Sequence, residues 1–274
     1  MELCATTDLC NPVIPAQAGI QIQNLGPRLC GDDKSWPSVF ARVDNAYLPA
    51  SKRICVILGT SMYSTLNPTL PRDFGHAISR EDMLNLPVRR YEGEVCLVET
   101  AQHLERALAD IRAEHVVGFD TETRPAFTKG ESYPPALVQA ATARVVYIFQ
   151  LRQTVVFPVV AELLETAHIV KTGVSVSRDL RDLKAVLPFE PQNVLDLEGV
   201  ARRCGLKQTG VRNLAGMLLG FRIPKGNTTS NWAAPKLTAA QITYAATDAW
   251  ACRELYLRFE SLGLLSKQDE RKKD

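Results

Sequence analysis

No apolar run in this chain approaches the roughly 18 residues needed to span a bilayer. The longest candidates, ICVILG and TVVFPVVAELL, are short or broken by Pro158. The start, MELCATTDLC, has neither the basic stretch nor the apolar segment of a secretory signal. These absences predict a cytoplasmic protein with no membrane partner. An excess of one charge sign is missing as well. Lys and Arg number 32 against 30 Asp and Glu, a net +2, so bulk charge announces neither a nucleic acid nor a lipid surface. Any such partner has to be read from individual residues. The seven cysteines, at 4, 10, 30, 55, 96, 204 and 252, are odd in number and include no C-x-x-C. That pattern fits neither a disulfide framework nor a zinc site, and the thiols read as reduced and structural.

Sustained periodicity is absent from residues 1 to 77. Pro and Gly recur there at short intervals (Pro12, Pro15, Gly19, Gly26, Pro27, Gly31, Pro37, Pro49), which predicts a poorly ordered tail rather than a domain. The segments NPVIPAQAGIQ and LGPRLCGDD resemble the translation of a dispersed bacterial intergenic repeat. This implies an over-extended gene start, with Met62 the leading candidate for the working one. A folded unit is expected over 78–265, and a charged tail, SKQDERKKD, over 266–274.

Within the folded unit a strand is predicted near 95–98, then a helix capped by Thr100 with the stripe Leu104, Ala107, Leu108 and Ile111. An apolar strand follows over 115–122. The runs ALVQAAT and RVVYIF are separated by one residue and predict a hairpin folding back on that strand, three adjacent antiparallel strands in all. The rhythm then alternates: a helix near 159–167, the strand IVKTGV, a helix near 177–187, a short strand near 194–197, and helices thereafter. Such alternation predicts α/β packing with the later strands parallel. The last helix has the clearest limits, with Thr238 and Gln241 at capping-box spacing and Gly263 as a stop. Its expected core stripe is Ile242, Ala245, Ala249, Cys252, Tyr256 and Phe259. No internal repeat interrupts this order.

Chemistry concentrates in three places. The strand VVGFDTETRP ends in Asp120 and Glu122, two residues apart and so on one face. Burying both bare would cost many kcal/mol of solvation, so a positive partner is expected, and hard divalent cations such as Mg²⁺ prefer such oxygens. In GVSVSRDLRDL a strand passes into a helix bearing Asp179 near its start, where the macrodipole favours an acid in any case. Asp182, with Arg178 and Arg181, reads as a solvated charged face. In YAATDAW, Tyr244 and Asp248 stand four apart on one helix face. Each feature alone is common on protein surfaces.

Taken in order, the three motifs resemble those of the DEDD 3′→5′ exonucleases, in the branch with tyrosine in the third motif that includes ribonuclease D and the Werner-syndrome exonuclease domain. The resemblance covers roughly 95 to 262 and takes in LAGMLLGFRIPK and SNW before the third motif. It implies a ribonuclease H-like α/β fold with a central mixed sheet flanked by helices. It also implies a two-metal phosphodiester hydrolase acting at the 3′ end of DNA or RNA. Asp120, Glu122, Asp179 and Asp248 match the four metal-binding acids, with two divalent ions, Mg²⁺ or Mn²⁺, as cofactors. Tyr244 matches the residue that orients the attacking water, and its reference pKa of about 10 argues against a free phenolate. The histidine branch would carry His where this chain has Thr243, and none of the four histidines falls in a motif. Asp179 is preferred to Asp182 by its distance from Gly173.

Arg124, Lys129, Arg178, Lys207, Arg212 and Lys225 lie near the motifs and are candidates for phosphate contacts. Phe127, Tyr133 and Trp232 are candidates for base stacking, Trp232 reading more readily as packing. His115 and His168, beside strands, read as structural. Two rivals remain. One is a catalytically silent nucleic-acid-binding module of the same fold, against which the intact acid set argues. The other is an endonuclease or strand-transfer enzyme, which would leave different products.

Overall fold

A computed structural model describes residues 77–226 and 230–265. The tails expected over 1–77 and 266–274, and the Met62 start, lie outside the described residues except for residue 77. Six strands form one mixed sheet: β1 (Glu94–Leu97), β2 (Val116–Thr123), β3 (Pro135–Ala141), β4 (Val145–Gln150), β5 (Val170–Gly173) and β6 (Val194–Asp196), in the spatial order β1-β4-β3-β2-β5-β6. The hairpin is where the two closely spaced β-rich runs predict it, β3 running antiparallel to both β2 and β4. Thr142 closes its turn, the hydroxyl donating to Val145 O (2.9 Å) and accepting from Val145 N (3.0 Å). The remaining pairs are parallel, including β1 on β4 at the edge.

Helices cover both faces. After the short helix α1 (Arg80–Asn85), α2 (Ala101–Arg112), α3 (Phe157–Glu165) and α4 (Val176–Leu183) bury their apolar sides on one face. They pack against Val117 and Phe119 of β2, Val138 and Ala140 of β3, and Tyr147 and Phe149 of β4. Thr100 caps α2 by accepting from His103 N (3.2 Å). Pro158, which interrupts an apolar run in the sequence, opens α3, where its missing N–H costs nothing. Helix α4 stops at Leu183, short of the expected Leu187.

The opposite face belongs to α7 (Ala239–Ser261). Thr238 and Gln241 form the expected capping box, and Gly263, at φ +66°, ends the turn beyond the helix. The expected single stripe is an underestimate. Ala245, Ala246 and Ala249 pack on the sheet, while Ala251 and Leu255 pack on the outer side. Those outer neighbours come from α5 (Leu197–Arg203), α6 (Val211–Leu214) and the π-helical turn Ala215–Leu219. A helix sandwiched in this way is buried on more than one side, with Gln241, Thr247, Asp248 and Arg253 among its buried residues, and its sequence does not show a clean stripe. Gly118 lets it sit so low. A Cβ there would run into the Ala249 carbonyl and stand 2.8 Å from Arg253 N.

Candidate active site

Strand β2 outruns its parallel neighbour. Its pairing with β5 stops at Gly118, while its pairing with β3 continues to Thr123. The end of β2 is therefore open on one side, and Asp120 and Glu122 project there on the face that α7 covers. One turn beyond Tyr244, α7 delivers Asp248. One oxygen from each of Asp120, Glu122 and Asp248 lies within 4.8 Å of the others. Asp120 and Glu122 are half-buried, and Asp248 is 6% exposed with an Oδ1 that has no hydrogen-bond partner among the described residues.

The electrostatics follow from that crowding. Burial first, then the charges of Asp248, Glu122 and Asp179, hold the Asp120 carboxyl well above the usual carboxylate range. Glu122 is pushed up to about 8, again by burial and then by Asp248 and Asp179. Burial also raises Asp248, opposed by a hydrogen bond from Tyr244 and by the charge of Arg212. Carboxyls this crowded take up protons unless a cation replaces them. An all-oxygen donor set with one bare, buried oxygen fits a hard divalent cation, so these residues suit the metal that the sequence implies.

Asp179 stands at the margin of this group. Helix α4 follows β5 through Ser175, whose left-handed backbone (φ 61°) is pinned by two acids. Its N–H donates to Asp196 Oδ1 (3.0 Å) and its hydroxyl to Glu198 Oε2 (2.6 Å). Asp179 is half-buried and raised to about 6 by burial, with a hydrogen bond from the Thr121 side chain opposing. Thr121 points to the other face of β2 from Asp120 and Glu122, so Asp179 reaches the cluster around the end of the strand. The alternative, Asp182, is exposed and lies 3.8 Å from Arg178.

Tyr244 is held from both sides. Its hydroxyl donates to Asp248, and burial first, then the Asp248 charge, pushes its pKa far up, so the phenol stays neutral. Its ring packs at 34° to Trp232, centroids 5.9 Å apart. On another side Gly226 leaves no room, because a Cβ there would stand 2.8 Å from Tyr244 Cγ and closer still to the ring edge. Trp232 is 1% exposed and packs with Leu137, Ile148 and Leu237. It is a packing residue, not a stacking platform.

The remaining candidates differ in exposure. Phe127 is 80% exposed in the loop after β2. In the same loop the Arg124 guanidinium lies 4.7 Å from the Tyr133 ring centroid. Lys129, Arg178, Lys207 and Lys225 are exposed, whereas Arg212 is half-buried and donates to Ile223 O (3.2 Å). His115 and His168 are exposed. Sequence reasoning missed Thr121, Gly226 and the buried Gln139. Of these only Gln139 left a signal, as the single polar residue in the run PALVQAA.

Residues 95–263, more than half of the chain, match the family model described as 3′-5′ exonuclease. Ribonuclease D of Gluconacetobacter diazotrophicus is 30% identical over 164 residues, covering 58% of this chain and 41% of that protein. The bifunctional 3′-5′ exonuclease/ATP-dependent helicase WRN of Mus musculus is 30% identical over 190 residues, covering 65% of this chain and 14% of that protein. The chain thus spans less than half the length of either. The crystal structure of Escherichia coli RNase D superposes with a TM-score of 0.54 at 21% identity, covering 66% of this chain and 51% of that one. That likeness gives the fold as ribonuclease H-like. The matched stretch runs from β1 through α7 and includes every strand that frames the acids, and the chain belongs to the 3′-5′ exonuclease family, hydrolases of phosphodiester bonds.

Proposed function

We propose that this chain is a metal-dependent 3′→5′ exonuclease of the tyrosine branch, releasing nucleotides from the 3′ end of DNA or RNA with two divalent ions, Mg²⁺ or Mn²⁺. The observation that carries the reading is the convergence of Asp120, Glu122 and Asp248 within 4.8 Å beside a neutral Tyr244 hydroxyl bonded to Asp248.

Asp120, Glu122 and Asp248 would hold one ion, and Asp120 with Asp179 a second. Divalent ions in such a site supply Lewis acidity, activating a water and offsetting charge on the displaced phosphate oxygen. Tyr244 orients that water through its hydroxyl, whose raised pKa suits a hydrogen-bonding role and not a proton-accepting one. Arg124 and Lys129, in the loop after β2, and Arg178, on α4, would meet phosphates of the bound strand. Phe127, exposed in the same loop, offers a ring to an unpaired base.

The test uses single-stranded DNA and RNA oligonucleotides labelled at the 5′ end, with Mg²⁺, Mn²⁺ or chelator, and Asp120→Asn as control. A ladder shortening from the 3′ end, lost in chelator and in the variant, is expected. Binding of either strand without any shortening would favour the silent module, and internal fragments would favour an endonuclease.

A further inference from the structure

The face of the sheet under α7 carries a glutamine with no role in the site as described. Gln139 sits in the middle of β3 and is fully buried. Neither its Nε2 nor its Oε1 has a hydrogen-bond partner among the described residues. A bare buried amide costs free energy that an apolar side chain of the same size would not. Its neighbours indicate what it faces. Gln139 is directly opposite Asp120 in the β2–β3 register, and opposite residues of an antiparallel pair share a face with Cβ atoms about 4.5–5.5 Å apart. That face is the one α7 covers. Leu137 and Ala141, two residues to either side on β3, pack respectively with Ala245 and with Ala246 and Ala249. Asp248 Oδ1, on α7, and the hydroxyl of Thr172, which pairs with Gly118 in the β2–β5 register, are likewise buried without a hydrogen-bond partner among the described residues. Asp120 thus has two side chains with bare polar atoms beside it, Gln139 and Asp248.

We propose that Gln139 is a positioning residue for Asp120: when the divalent ion binds, its side-chain N–H, unpartnered in this structure, donates to the Asp120 carboxylate and fixes which oxygen faces the ion. The inference rests on the metal-site reading above. Asp120 needs such a restraint because a carboxylate on a strand end can rotate about two torsions, and only some orientations meet Glu122 and Asp248 at a common point. A donor on one oxygen selects among them. Hydrogen-bond partners of this kind typically alter metal affinity by about 10–100-fold.

Two variants, Gln139→Met and Gln139→Leu, remove the amide and keep the bulk. Calorimetric titration of Mn²⁺ into metal-stripped protein, together with the thermal midpoint in chelator, separates positioning from packing. The proposal expects variants at least as stable as wild type in chelator that bind Mn²⁺ roughly 10–100-fold more weakly. Unchanged Mn²⁺ affinity in either folded variant would overturn it, with a lowered midpoint then marking Gln139 as core filling. A measurement on wild type needs no variant: the assigned Gln139 side-chain amide signal should move when Mg²⁺ is added, and a signal that stays put argues equally against the proposal. Wild-type protein that binds no Mn²⁺ would remove the metal reading itself, an outcome distinct from the loss of this one.

Discussion

Replacing Gly226 by alanine should disarm Tyr244 without touching an acid. The backbone at Gly226 does not lie in the left-handed region, so alanine is allowed there, and the three atoms nearest the new Cβ all belong to the Tyr244 ring. It would stand 2.8 Å from Cγ and nearer to the ring edge, whereas carbon atoms settle at about 3.5–4.0 Å. The ring must give by on the order of an ångström. Retreat is blocked on the Trp232 side, where a residue only 1% exposed holds the ring at a centroid distance of 5.9 Å. The hydroxyl therefore leaves its place at Asp248. Misplacing a catalytic group by about 1 Å costs roughly 100-fold in rate, so Gly226→Ala should slow single-turnover release of the 3′ nucleotide by about that factor. Mn²⁺ affinity should be unchanged. If the loss acts through the hydroxyl, Gly226→Ala should add nothing further in a Tyr244→Phe background. Full activity in Gly226→Ala, or a further large loss in the double variant, would refute the reasoning.

Other outcomes follow from the same geometry. Asp120→Asn should reduce activity to the level of chelator-treated enzyme, and should raise the thermal midpoint of the metal-free protein by removing one of the crowded, buried carboxyls. Metal-free protein should lose stability as pH rises. Glu122 and Asp179 titrate in the folded state at about 8 and about 6, above their ordinary 4.5 and 3.8, so the folded chain binds more protons than the unfolded one between these limits. Their contribution is fully present below the ordinary values and is lost as pH rises through about 6 to 8. Differential scanning in chelator from pH 5 upward checks this, and saturating Mn²⁺ should cancel the loss. Gly118→Ala should lower the urea midpoint by an amount equivalent to about 1–3 kcal/mol, because its Cβ strikes the α7 backbone, which cannot move without dragging Asp248.

Where the sequence alone reached the structure, the reason was a local period. Two β-rich runs, ALVQAAT and RVVYIF, with one residue between them set the hairpin, and the capping box at Thr238 fixes the start of α7. The two-residue spacing of Asp120 and Glu122 forces both onto one face of β2, and the four-residue spacing of Tyr244 and Asp248 does the same on α7. These are distances along one element, dictated by covalent geometry. How elements meet is not written in any single period. That β5 releases β2 at Gly118, that α7 is buried on both sides, that Thr121 reaches Asp179, and that Gln139 lies opposite Asp120 all depend on register and close packing between residues far apart in the chain. Sequence determined which side chains could share a face, and only the tertiary structure decided which faces close on one another, because that choice is settled by the packing of the whole sheet and its helices.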